Sequence, residues 1–173
     1  MNIFLRILTT FIACIWRAKI APTETLHGDF IVGPTEADLR YVGNARYLLF
    51  MEVHRLELML RTGIFFASRK YGWVPLVVSQ TIRYKRPLRR FQRFTLKTTL
   101  VGWDDRWLFL EHKFERNGAV IAFAMVKSCF RGPDGVVPPR EAFHVLGFAG
   151  DPKPLARHFS DWTTAEALQE AAF

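Results

Sequence analysis

Between Pro34 and Gly63 the chain reads PTEADLRYVGNARYLLFMEVHRLELMLRTG, a polar loop running straight into a helix that is apolar on nearly every side. A helix without a wide polar face does not rest on a surface; it is buried, and other elements must wrap it. Asn44 is a good N-cap and Gly63 a good C-cap for this helix. Its few charges, Glu52 with Arg55 at i+3 and Glu57 with Arg61 at i+4, are spaced to pair along it.

The segments that could do the wrapping follow. Leu26 to Val32 is a candidate first strand, with Leu26, Phe30 and Val32 on one face. Phe65 to Tyr71 reads as a second short helix or an irregular segment ending at Gly72. From Pro75 the period changes to two: Gln80, Ile82 and Tyr84 alternate with Thr81, Arg83 and Lys85 until Pro87 ends the run. Phe94, Leu96, Thr98 and Leu100 open the next strand, and Asp104-Asp105-Arg106 turns the chain into Trp107 to Arg116. There Leu108, Leu110, His112 and Phe114 share a face. Asn117-Gly118 is the strongest hairpin signal, since both residues tolerate the positive φ of a type I′ turn. It leads into the apolar run Ala119 to Arg131, expected to be a central strand that Gly132-Pro133-Asp134-Gly135 closes. A last helix is expected from Ser160 or Asp161 through Ala165, Leu168 and Ala172. One buried helix followed by long strands joined by short turns predicts an α+β domain.

With 173 residues, half of them hydrophobic, the chain has enough apolar surface for one real core. The parse is an N-terminal amphipathic helical segment over 1–22, a central domain over 23–140, and an extension with a helix over 141–173. The formal charge of +8 predicts attraction to anions: nucleic acid, a membrane face or a phosphorylated small molecule. Charge is densest at Arg83, Lys85, Arg86, Arg89, Arg90 and Arg93, with no acid among them. Such a run is by default a solvated face. Phe91 and Phe94 alone make a poor stacking platform, so nucleic acid is not expected. The two cysteines, Cys14 and Cys129, form neither a disulfide framework nor a metal-ligand spacing, which points to a reducing compartment, read as cytoplasmic or peripheral to the inner membrane; no metal or other cofactor is expected. His54 and His112 read as hydrogen-bonded structural residues.

The N-terminal MNIFLRILTTFIACIWRAKIAP has an apolar run too short to span a bilayer. Phe4, Leu5, Leu8, Phe11, Ile12, Ile15 and Trp16 recur at helical spacing, leaving Arg6, Thr9, Thr10 and Lys19 for another face. Three readings stand side by side: a helix packed on the domain or a partner subunit, a helix on a membrane surface, and a signal or anchor.

The loop and helix, with Gly72-Trp73-Val74-Pro75, Thr81-Ile82-Arg83-Tyr84, Arg93-Phe94, Val101-Gly102-Trp103-Asp104 and Phe130-Arg131-Gly132, resemble the hotdog-fold acyl-CoA thioesterase family in its bacterial thioesterase-like branch. The resemblance covers roughly residues 25–140. It implies an antiparallel sheet of about five strands wrapped round one long helix, and a homodimer or dimer of dimers with sites between subunits. The family's loop has the form P-x-D-x-D-x-N-x-H-M-N-N-x-R-Y. Here it is Pro34 to Tyr47, one residue shorter between its acid and Tyr47, with Glu36 for the first Asp, Tyr41 for His and Gly43 for the first of the paired Asn.

By that resemblance Asp38 is the counterpart of the catalytic acid, with Glu36 the second carboxylate in reach. Thioester hydrolysis needs a base or carboxylate nucleophile and donors for the oxyanion. The first amides of the helix, at Gly43 and Asn44, are the expected donors, because they lack intrahelical acceptors and sit at the positive end of the helix dipole. Tyr41 is placed to hydrogen-bond substrate, and Arg83, Arg86 and Arg89 to meet the phosphates of CoA. The alternative is a non-catalytic acyl-thioester or lipid-binding protein held at the inner membrane surface by its N-terminal helix.

Overall fold

The structure, a computed structural model, describes residues 3–38 and 40–170, and of Ile3, Asp38 and Glu170 only the backbone. Ala172, to which the sequence extends the last helix, lies outside the described residues. The elements in order are α1 Ile3–Trp16, β1 Leu26–Ile31, β2 Ala37–Asp38, β3 Tyr41–Val42, α2 Asn44–Thr62, α3 Ile64–Tyr71, β4 Val74–Tyr84, β5 Arg93–Trp103, β6 Leu108–Arg116, β7 Ala119–Gly132, β8 Gly135–Val137, α4 Pro139–Val145 and α5 Arg157–Glu170. The main sheet is antiparallel in the order β1-β5-β6-β7-β4, with β8 also paired to β7.

Helix α2 lies against this sheet as its pattern requires, burying Tyr47, Phe50, Met51, Val53, His54, Leu58 and Leu60. Alternation along β5 and β6 supplies the facing surface through Phe94, Leu96, Leu100, Leu108, Leu110 and Phe114. Gly63 ends the helix at φ 85°, donating its amide to Leu60 O, a conformation in which a side chain would be strained. Asn117 and Gly118 take φ 51° and 73°, closing the β6–β7 hairpin as the sequence predicts.

The structure corrects several local expectations. Gly43, extended at φ −68° and ψ 154°, is the N-cap, and Asn44 is the first helical residue. The chain stays extended that far because Val42 N donates to Leu88 O at 2.9 Å, holding β3 in place. The last helix starts at Arg157, three residues before Ser160, and covers the sheet face opposite α2: Phe159 is 1% exposed beside Phe109, and Glu166 pairs with Lys127. Helix α4, opened by Pro139 at its first turn, falls where the apolar pattern is weak. Helix α1 packs on α2, but it turns Arg6 inward and most of its large apolar residues outward.

A polar seam divides the core. The Thr98 hydroxyl lies 2.7 Å from His54 Nδ1 and 2.8 Å from His112 Nδ1, and all three residues are fully buried. Arg55 always donates, so His112 Nε2, 3.4 Å from Arg55 Nη1, is the acceptor. Its Nδ1–H then donates to Thr98, whose hydroxyl donates to His54. Burial pushes the His54 pKa down to about 3 and that of His112 well below 6.5. Both rings are therefore neutral when folded and bind protons on unfolding below about pH 6.5. Stability should accordingly fall as pH drops from about 6.5 towards 3, with a slope approaching about 1.4 kcal/mol per pH unit for each histidine. Urea titrations at a series of pH values check this, and His112→Asn should flatten the slope; an equal slope in the variant would assign the effect elsewhere.

Candidate active site

The loop before α2 is built from three segments distant in sequence. β2 and β3 form a two-residue hairpin that sets Asp38 opposite Tyr41. The turn after β4 closes over it: Tyr41 bridges Arg89, the Arg89 guanidinium stands 5.5 Å from the Tyr41 ring centre, and Arg90 Nη2 donates to Ala37 O at 3.4 Å. The amide of Leu88, fully buried beneath, donates to the Tyr47 hydroxyl at 3.2 Å. Tyr84 reaches the start of the helix, its hydroxyl donating to Asn44 O at 3.4 Å.

At the helix start Arg46 N donates to Gly43 O, while no side chain among the described residues caps the N-terminus. The Asn44 and Ala45 amides have no intrahelical acceptor and point out of the positive end of the dipole. Gly43 carries no side chain to obstruct an approach to them. The backbone of Asp38 stands across the hairpin from Tyr41; its side chain lies outside the described residues.

Glu36 is 4% exposed and fully engaged. Its two oxygens accept from Arg6 Nε and Nη2, each at 2.6 Å, and Oε2 also accepts from Gly33 N at 2.6 Å. Burial by itself would raise its pKa, but the Arg6 hydrogen bonds, the Gly33 amide and the Arg6 charge together hold the carboxyl below its ordinary value. Arg6 further donates to Ile31 O at 3.0 Å and lies 5.0 Å from the Phe50 ring centre. This is the geometry of a brace between α1, the end of β1 and the loop. The sequence sets Arg6 with Thr9, Thr10 and Lys19 on a face away from the apolar residues of the helix; a lone charge inside a largely apolar segment is the available signal for a buried partner.

Of the predicted phosphate-binding residues, Arg89 is brought to the loop beside Tyr41. Arg83 lies towards the exposed end of β4, and Arg86 in the following turn, where its amide donates to Ile121 O at 3.1 Å. No group of His, Cys, Asp or Glu among the described residues gathers as metal ligands.

Further along α2, between the helix and the β4–β7 side of the sheet, lies an apolar cavity of about 390 Å³. Leu56, Met59, Leu76, Leu110 and Phe130 are among its walls, and Glu52 and Arg55 are its charged groups. Arg55 Nη2 donates to Glu52 at 2.9 Å, and its guanidinium is held from behind by His112. The predicted Glu52–Arg55 pair thus exists, but it stands on a cavity wall, which helical spacing does not reveal.

A curled antiparallel sheet holding one long helix, with a braced loop and open amides at the helix start, defines a hotdog domain. The chain belongs to the thioesterase-like superfamily, whose sequence profile matches residues 32–135. It is 28% identical over 132 residues to Protein THEM6 of Drosophila melanogaster, an alignment covering 73% of this chain and 68% of the fly protein. It is 31% identical over 114 residues to Protein THEM6 of Danio rerio, covering 64% of this chain but only 56% of the fish protein. Among solved structures it is similar to BH1999, a gentisyl-coenzyme A thioesterase, with a TM-score of 0.60 and 22% identity over 73% of this chain and all of that one.

Proposed function

We propose that this protein hydrolyses an acyl-CoA or related acyl thioester. The apolar cavity alongside α2, in a domain of the thioesterase-like superfamily, carries the reading, since it supplies a place for the acyl group beside the helix whose amides would polarise the carbonyl. In this reading Asp38 removes a proton from water as it adds to the thioester carbonyl. The resulting oxyanion rests on the Gly43 and Asn44 amides, and collapse expels the CoA thiolate, which takes up a proton. If Asp38 instead attacks directly, a mixed anhydride forms with loss of thiolate and water hydrolyses it. Tyr41 orients substrate, and Arg83, Arg86 and Arg89 meet the CoA phosphates.

A second copy completes the site. Among the described residues β4 pairs only with β7 along the main sheet, and its Val74, Leu76, Val77 and Val78 are exposed, a long apolar edge of the kind that recruits a partner strand. Pro75, Leu76 and Val77 of that edge also wall the cavity. The domain limits of 23–140, with 1–22 and 141–173 as extensions, belong to the same reading.

Thiol release from a panel of acyl-CoA lengths, with matching acyl-pantetheine thioesters, tests it. Turnover should favour chains the cavity can hold, and Met59→Trp should depress the longest chains at least about tenfold while sparing the shortest. Binding without turnover would select the non-catalytic alternative. Equal efficiency on CoA and pantetheine thioesters would remove the arginines from substrate binding, and full turnover by a monomer would remove the second copy.

A further inference from the structure

Helix α1 is inside out. Its outward residues include Phe4, Leu5, Leu8, Ile12, Ile15 and Trp16, exposed at 73%, 47%, 49%, 53%, 74% and 87%, while its sole charged residue, Arg6, is 9% exposed and spent on Glu36. A helix dressing a domain in water does the reverse. Contacts on the inner side explain how it is held: the Phe11 and Phe65 rings meet edge to face at 5.3 Å, and Arg17, just past the helix, pairs with Glu57. Those inner contacts among the described residues leave a stripe of Leu5, Leu8, Ile12, Ile15 and Trp16 facing outward.

A second exposed feature is tied to the same place. Arg6 donates to Ile31 O, and Ile31 pairs with Arg93 in the β1–β5 ladder. One residue on, Val32 O accepts from Phe91 N at 2.9 Å. Phe91 is held at φ 63°, a costly conformation for a bulky residue, and is 66% exposed. Around it Arg89, Arg90 and Arg93 are exposed, and neither α1 nor the stretch 83–93 contains an acid. Lys19, also exposed, follows the other end of the helix.

We infer that α1 and the Phe91 turn form one surface that lies on an anionic lipid bilayer, the helix in the interface plane and Arg90 and Arg93 against headgroup phosphates. No helix among the described residues is long and apolar enough to cross a membrane. The absence of acid from both parts, in a chain of net charge +8, favours lipid over a second copy, which would bring the same positive charge to itself. Because Arg89 and Arg90 also touch Tyr41 and Ala37, this surface sets the loop before α2 close to the lipid. The inference does not depend on catalysis.

Flotation of the full chain, without acyl substrate, with vesicles of phosphatidylcholine alone or mixed with phosphatidylglycerol decides it. The protein should float with the anionic vesicles, and high salt should weaken this. Ile12→Asp with Trp16→Asp should lower partitioning at least about tenfold, and Phe91→Ser with Arg90→Glu roughly tenfold. Far-ultraviolet circular dichroism establishes that the variants fold, and a lipid-dependent blue shift of fluorescence lost in Trp16→Phe supplies a readout with the helix otherwise intact. Failure of the unmodified protein to float would overturn the inference, as would a change in solution mass in the Ile12 and Trp16 variant without vesicle binding, which would assign the stripe to a second copy. Equal binding to neutral and anionic vesicles would overturn the role of the arginines.

Discussion

Asp38→Asn is expected to lower kcat for acyl-CoA hydrolysis about a thousandfold while leaving KM within a few-fold, because an amide can neither accept the proton of an attacking water nor form an anhydride. The replacement is nearly isosteric, and Asp38 lies in the β2–β3 hairpin, whose backbone pairing does not require the carboxylate. Steady-state thiol release, with thermal melts as control, measures it. Glu36→Gln is the informative companion. It weakens the brace to Arg6, so its melting temperature should fall, with turnover lost only as far as the loop is displaced. Should Glu36→Gln abolish turnover in a protein that still folds, with Asp38→Asn active, the acid has been assigned to the wrong residue.

Arg6→Ala is expected to destabilise the protein by about 3 kcal/mol, lowering Tm by roughly 6 to 12 °C. The side chains of Arg6 and Glu36 are 11% and 5% exposed, so removing the arginine strands a buried carboxylate that keeps, among the described hydrogen bonds, the Gly33 amide. Removing both charges with Arg6→Met and Glu36→Leu should recover most of the loss, since a buried pair offsets little more than its own desolvation. The pH dependence has a definite sign. Glu36 titrates below its ordinary value in the folded protein, so its contribution is present above the unfolded pKa, about 4.3, and is lost as pH falls through the folded value. The gap between wild type and Arg6→Ala should therefore narrow in acid. Urea titrations of the four proteins of this cycle, at neutral and acidic pH, test both statements; a gap unchanged by pH would mean the pair does not stabilise through charge.

These two residues mark where sequence reading stops. The helix and the strands were legible because each periodicity is a property of neighbours: Phe94, Leu96 and Leu100 alternate whatever lies opposite, and Asn117-Gly118 turns the chain by its own backbone preferences. The loop was legible by likeness, down to the positions of Asp38 and Glu36. What Glu36 is bonded to was not, because Arg6 stands 30 residues away and nothing local joins them.

The amino-acid sequence by itself determined that α2 is buried, that long strands wrap it, and that a carboxylate-bearing loop precedes its open amides, since apolar periodicity, turn chemistry and chain order suffice for all three. Only the tertiary structure decided that Glu36 is a brace, that Glu52 and Arg55 stand on a cavity wall, and that α1 faces outward with its apolar side. Periodicity sets Arg6, Thr9 and Thr10 of α1 apart from its apolar residues and would turn Arg6 outward, whereas the fold buries it. One buried ion pair and a few ring contacts between distant segments make that choice, and they exist only once the chain has folded.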